Sequence, residues 1–134
     1  MMNRSLLTTI ASIFLMGTIA CQKKEEVAVQ PDKVVVNITS PKEGQVVRKG
    51  ETLSIVANIR YITQMHGYII KIVNQETGKL YYETEGHAHG DIININEQWT
   101  DSIATQTPLQ LEITAVLDHE QNETHEKLGF ISQP

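Results

Sequence analysis

Every second residue is apolar in the stretch Leu109-Gln110-Leu111-Glu112-Ile113-Thr114-Ala115-Val116-Leu117. Successive side chains of an extended strand point to opposite faces, so this pattern predicts a strand that buries one face and exposes the other. The same period of two recurs in shorter stretches, at residues 34–38, 53–59, 68–72, 80–82, 93–95 and 128–130. The chain is therefore predicted to be all-β.

Turn-forming residues separate these stretches: Pro41-Lys42-Glu43-Gly44, Lys49-Gly50, Glu76-Thr77-Gly78-Lys79 and Gln121-Asn122. Short alternating strands between such turns are typical of a β-sandwich. No segment after the first 20 residues has the 3.6-residue period of an amphipathic helix.

Two segments near the start of the domain resemble a known fold. Ile38-Thr39-Ser40-Pro41-Lys42-Glu43-Gly44 and Gly50-Glu51-Thr52-Leu53-Ser54-Ile55 are similar to the opening of bacterial immunoglobulin-like domains. There the first strand ends at a Pro-x-x-Gly turn, and a glycine-led second strand enters the core. The resemblance implies an immunoglobulin-like antiparallel β-sandwich of about seven strands at residues 33–134. It does not imply a function.

In the strand letters of that fold, the alternation predicts A at 33–39, A′ at 45–48, B at 52–60, C at 66–73, C′ at 79–84, E at 92–97, F at 108–118 and G at 124–132. Residues 98–107 are left as a long loop whose position the pattern does not give.

Residues 1–20 are predicted to be a secretory signal peptide rather than part of the domain. Arg4 provides a basic start, and the uncharged, mostly apolar run from Leu6 to Ala20 ends in small residues. The run is also short for a membrane-spanning helix. Residues 21–32 are polar and reach Pro31, which predicts a flexible tether.

The only cysteine, Cys21, cannot form an internal disulfide. Thr18-Ile19-Ala20-Cys21 resembles the bacterial lipobox, which implies cleavage before Cys21 and lipidation of that residue, and several acyl chains together anchor stably. The run from Cys21 to Glu26 resembles the signal that sends some Bacteroidetes lipoproteins to the outer face of the outer membrane. A plain solvated tether is the alternative, so the anchor is expected in the outer membrane, facing the periplasm or the cell surface.

The formal net charge of −5 makes the chain a poor match for nucleic acid. An acidic surface is compatible with attracting cations.

The five histidines all follow residue 65. Successive antiparallel strands end at alternate rims of a sandwich, and on this topology every histidine falls at the same rim. Neutral imidazole is a good ligand for Zn²⁺ and Cu²⁺, so the pattern predicts a zinc or copper site. The candidate ligands are His66, His87, His89, His119 and His125.

Side-chain parity ranks these candidates. His66 continues the inward positions of strand C and His119 those of strand F, and C and F are neighbours in the expected sheet. His87 and His89 follow C′ in a loop flanked by glycines, whereas His125 has outward parity and ranks last. Acidic residues at positions 85, 91, 118 and 120 are expected to orient the rings or to add a fifth ligand. Met65 is the only thioether nearby, which disfavours a dedicated Cu(I) site.

The first functional hypothesis is a non-enzymatic, lipid-anchored envelope protein that captures, buffers or delivers the metal. The alternative is an adhesion or assembly module whose histidine rim contacts another envelope protein. Hydrolysis at an open zinc site, with Glu85 or Glu120 as base, is a third hypothesis. No motif for a serine or cysteine nucleophile or for phosphate binding supports an enzyme.

Overall fold

The computed structural model of this chain describes residues 28–134, and the predicted signal peptide and Cys21 lie outside them. After a 3₁₀ turn at Pro31–Lys33, six strands follow: β1 (Val35–Ser40), β2 (Val46–Arg48), β3 (Thr52–Asn74), β4 (Leu80–Thr100), β5 (Thr107–Val116) and β6 (Glu123–Gln133). Over residues 28–134, no helix has the length and apolar content needed to cross a membrane.

The strands form two layers that share their two longest members. In the first layer the amino-terminal half of β3 pairs with β1 on one side and with the carboxyl-terminal half of β4 on the other. In the second layer the rest of β3 pairs with the start of β4 and with β5, and β6 and β2 continue the sheet. All pairs are antiparallel except β2 with β6. The all-β sandwich predicted from the alternation is confirmed.

The inner faces of the two layers meet in the core. Inward side chains of β3, β5 and the second half of β4 are buried as their parity predicted, and Ile55, Ile59, Ile70, Ile72, Leu109, Leu111 and Ile113 are fully buried. Leu80, which the alternation places in the same pattern at the start of β4, is 47% exposed. Trp99 of the first layer contacts Phe130 of the second, with ring centroids 6.2 Å apart. Burial of such side chains contributes about 1.5–3 kcal/mol each to folding.

The strand count differs from the prediction because four predicted strands are fused into two. Strands B and C are both part of β3, and C′ and E are both part of β4. The paired ribbon continues over the rim, and its register shifts between Arg60 and Met65 and again before Gly67. Such irregularities bend a ladder, so the segment predicted to be a loop is a fold in a continuous hairpin.

The predicted loop at 98–107 closes the opposite rim. β4 continues to Thr100, and Trp99 keeps the inward parity of Ile93 and Ile95. Asp101 follows and is 1% exposed, and its carboxylate accepts hydrogen bonds from the backbone N–H of Ile103 and the hydroxyl of Ser132. This buried carboxylate ties the loop to β6.

Replacing Ser132 by alanine is expected to lower the free energy of unfolding by about 2 kcal/mol, because one oxygen of the buried Asp101 carboxylate loses its donor. Urea denaturation measures the change. Ser102→Ala, at an exposed position of the same loop, is the control and should change it by less than about 0.5 kcal/mol. Equal effects of the two substitutions would show that the Asp101 contact contributes nothing to stability.

Candidate metal centre at the histidine rim

Four of the five histidines lie where β3 and β4 pass between the layers. His66 belongs to β3, His87 and His89 to β4, and His119 follows the end of β5. The pairing of Gly67 with both His87 and Val116 aligns these three strands at the rim. His66, His87, His89 and His119 line one cavity of about 290 Å³ and are called the histidine cluster below.

Three rings of the histidine cluster are in contact. The ring centroid of His66 lies 4.0 Å from that of His119, with the planes tilted by 58°. It lies 5.1 Å from that of His89, and this pair is edge to face at 86°. His66 is therefore the centre of the group.

His125 does not join them. It lies within β6, where it pairs with Thr114, and its exposed side chain lines neither of the two cavities at the rim. The expectation that all five imidazoles share one site is wrong for this residue. β6 begins at Glu123, one residue earlier than predicted, and Glu123 rather than His125 pairs with Val116 at the rim.

The Nδ1 atom of His66 is buried and has no hydrogen-bond partner among the described residues. Buried polar atoms are rarely left unpaired, because an unsatisfied group costs about 1–3 kcal/mol. An unpartnered imidazole nitrogen beside two other imidazole rings is the arrangement that a metal ion or a proton donor would satisfy.

The surroundings of His66 favour its neutral form. Burial lowers the pKa of His66, the neighbouring His119 and His89 lower it further, and the carboxylate of Asp118 opposes them. Neutral imidazole is the form that binds metal, so this environment keeps a ligand nitrogen free of protons.

In metal-free protein, the pKa of His66 is expected to lie below the ordinary histidine value, and His119→Gln should raise it by removing a neighbouring charge. Between the ordinary value and the lowered one, the unfolded chain binds a proton that the folded chain does not. The free energy of unfolding therefore has its full value above the ordinary histidine pKa. It decreases as the pH falls from there through the lowered pKa of His66 in the folded protein. NMR titration of the imidazole carbons measures the pKa. A His66 pKa at or above the ordinary value would contradict the burial of this ring.

Asp118 holds the turn after β5 rather than offering free oxygens. Its Oδ1 accepts the backbone N–H groups of Glu120, at 2.9 Å, and Asn122, at 3.0 Å, while Oδ2 accepts the Asn122 side-chain amide at 2.6 Å. The Asn122 side-chain bond is the main cause of a lowered Asp118 pKa; the backbone bonds and the charge of His66 add to it, and burial opposes it. Both oxygens accept hydrogen bonds within the turn that contains His119, so Asp118 holds that turn.

The other predicted neighbours of the site are spread around the rim. Glu85 lines the same cavity as the histidine cluster, whereas Glu120 borders a second cavity and Asp91 is exposed. Met65 is 0% exposed and belongs to the hydrophobic core, so its thioether is committed to packing.

Ring spacing can be compared with what a metal requires. Two imidazoles on a tetrahedral zinc, each bonded at about 2.0–2.1 Å, have ring centroids roughly 5 Å apart. The His66–His89 spacing of 5.1 Å matches this value, and the His66–His119 spacing of 4.0 Å is shorter. As the rings stand in residues 28–134, no three or more His, Cys, Asp or Glu side chains form a group that could hold a metal ion. Binding requires at least a side-chain rotation that moves the His66 and His119 ring centroids about 1 Å further apart.

Two features of the rim are not predicted by the sequence pattern. Gly67, with φ of +156°, packs so closely against the Gly86 carbonyl that a Cβ at position 67 would overlap it. The end of the predicted tether also docks here, since the Gln30 N–H donates to the Tyr61 hydroxyl at 2.8 Å. Ala28 and Val29 form one wall of the second cavity, of about 710 Å³, whose lining includes His66 and His119.

Comparison with known proteins adds little to these observations. No protein-family model matches the chain, and no curated protein matches it. Among solved structures, the chain is similar to one described as "Structures of Clostridium thermocellum CbhA fibronectin(III)-like modules", at 16% identity and a TM-score of 0.48. The match covers 74% of this chain and 96% of that chain. A likeness of this size assigns no function, and the sandwich rests on the strand pairing itself.

Proposed function

We propose that this protein is a non-enzymatic, lipid-anchored envelope protein that binds zinc or copper at the histidine cluster and captures, buffers or delivers the ion. The observation that carries the proposal is the unpartnered, buried Nδ1 of His66, in a ring that contacts those of His89 and His119. His66, His89 and His119 are the proposed ligands, with His87 at the edge of the same cavity.

The chemistry of the donors selects the class of metal. Three imidazoles and no thiolate suit Zn²⁺ and Cu²⁺, whereas Ca²⁺ and Mg²⁺ prefer sets of oxygen ligands. Met65 is committed to the core, which disfavours a Cu(I) site built on a thioether.

The anchor is proposed from the sequence around Cys21. Lipidation of this residue would place residues 22–27 between the membrane and the domain. The described chain enters the fold at the histidine rim, where residue 28 borders the second cavity. On this proposal the lipid anchor lies in the outer membrane of the cell envelope. The metal site lies at the end of the domain that faces this anchor.

Equilibrium dialysis against Zn²⁺ and Cu²⁺ tests the proposal, with tag-free chain 22–134, which contains every described element. One equivalent of metal should bind far more tightly than millimolar, and Ca²⁺ should not compete. Millimolar or weaker binding of both Zn²⁺ and Cu²⁺ would rule the function out.

A second candidate function is an adhesion or assembly module, favoured by exposed apolar side chains near the same rim. Val35 is 60% exposed, Ile92 is 52% exposed and Ile62 is 54% exposed. Val35 and Ile92 flank Arg60 on the outer face of the first layer. On this hypothesis, capture of an envelope protein is insensitive to chelators and is lost on substituting these side chains.

A further inference from the structure

The cavity beside the histidine cluster extends onto the outer face of the second layer. Its floor is at Gly67, which has no side chain and which pairs with His87 on one side and Val116 on the other. A larger residue could not occupy that position, because a Cβ would overlap the Gly86 carbonyl. The hollow is thus built into the strand pairing.

The walls of this hollow combine apolar and polar groups. Ile69 and Val116, both half-buried, provide apolar surface, and Glu85 and His87 on β4 provide a carboxylate and an imidazole. Glu85 pairs with Ile69 and His87 with Gly67, so the polar groups stand along the β4 side. The three contacting rings, His66, His89 and His119, line the same space.

We infer that this hollow admits an external imidazole, which binds the metal beside the three protein imidazoles. The inference rests on the proposed function. Three nitrogen ligands leave one position open on a tetrahedral ion, and the hollow is the space that adjoins the three rings. His87 pairs with Gly67 at the side of the hollow. Its ring is not among those that contact the His66 ring, which are His89 and His119.

The surroundings favour a neutral ring over an anion. Glu85 and Asp118 both line the cavity and offset the charge of the divalent ion, so an anionic ligand gains less attraction here than at the same ion without carboxylates. A flat ring can pack on Ile69 and Val116, and its second nitrogen can donate to Glu85, as the ligand histidines of metal sites commonly donate to a carboxylate. The source of the ring is either a free imidazole compound or a histidine side chain of another protein.

Visible spectroscopy of Co²⁺-loaded chain 22–134 tests the inference, with free imidazole, azide and a blocked Gly-His-Gly peptide as probes. Imidazole should change the cobalt spectrum with saturation, and azide should need at least about tenfold higher concentration. Saturation by the peptide as well would identify a protein side chain as a permitted source, and saturation by imidazole alone would restrict the site to small molecules. Both outcomes support the inference.

Filling the hollow provides the matched variants. Val116→Phe should weaken imidazole binding at least about tenfold and leave Co²⁺ affinity within about threefold. Val73→Phe, on the outer face of β3 away from the cavity, should change neither. Ile69→Phe repeats the test if Val116→Phe does not fold, as judged by thermal unfolding.

Two results separate the inference from the proposed function. Cobalt that binds but ignores imidazole, or equal effects of Val116→Phe and Val73→Phe, would overturn the inference and leave metal binding intact. Absence of cobalt, zinc and copper binding would overturn both.

Discussion

Replacing His66 and His119 together by glutamine is expected to weaken Zn²⁺ binding by on the order of 100-fold or more. Loss of groups that merely orient a ligand costs about 10–100-fold in metal affinity, so loss of two ligands should cost at least as much. This factor corresponds to about 2.7 kcal/mol of binding free energy. Glutamine keeps a polar side chain of similar length and removes the imidazole. Isothermal titration calorimetry on the tag-free chain measures the change.

His125→Gln is the matched control because this histidine lies in β6, outside both rim cavities. Its Zn²⁺ affinity should equal that of the wild type. Should His125→Gln weaken binding as much as the double variant, the metal is held by surface histidines in general and the cluster is not a site.

Replacing Gly67 by alanine is expected to lower the free energy of unfolding by about 3 kcal/mol, combining a disfavoured backbone conformation with overlap between the new Cβ and the Gly86 carbonyl. The strand pair would have to separate at the point where Gly67 pairs with His87, next to His66. Zinc affinity of the folded fraction should therefore fall as well. Urea denaturation and calorimetry measure the two effects.

Gly78→Ala separates strain from overlap. Gly78 also has positive φ, at +72°, but a Cβ there would meet nothing within 4 Å. We expect this control to lose about 1 kcal/mol and to keep its metal affinity. Similar losses for the two variants would mean that the close approach at Gly67 does not exist.

The inner faces of the sandwich could be predicted from the sequence because burial selects side chains at every second position. The stretch 109–117 gives the correct buried face of β5. The parity of His66 predicts an inward ring, and in the structure this ring is half-buried beside the exposed His89 and His119. The proximity of His66 and His119 followed from the expected pairing of C with F, which the structure shows as Gly67 with Val116.

The fusion of strands B and C into β3, and of C′ and E into β4, could not be predicted from the positions of glycine and proline. Residues 61–65 contain no glycine or proline, which suits a continuous strand, but the expectation of a loop between B and C came from the resemblance. Gly86 and Gly90, by contrast, are residues typical of turns and predict a loop, whereas β4 runs through both. In the structure the Tyr68 ring packs against Gly86, and its hydroxyl donates to Glu97 at 3.0 Å, joining the layers. Such a contact depends on tertiary packing and leaves no periodic pattern.

The prediction that His125 lies at the rim is wrong because of the strand register: His125 pairs with Thr114, two residues from Val116. A shift of two residues along a strand keeps a side chain on the same face but moves it about 7 Å from the rim. Side-chain alternation predicts the face of the strand but not the distance from the rim. That distance depends on the length of the turn that Asp118 and Asn122 hold.

The most direct test of the histidine cluster is an NMR titration of the tag-free chain with Zn²⁺, following the ring nitrogens of all five histidines. The signals of His66, His89 and His119 should shift together and saturate at one equivalent, while those of His125 stay unchanged. Ring signals that do not move up to millimolar zinc, or a His125 signal that moves in step with the other three, would contradict this prediction.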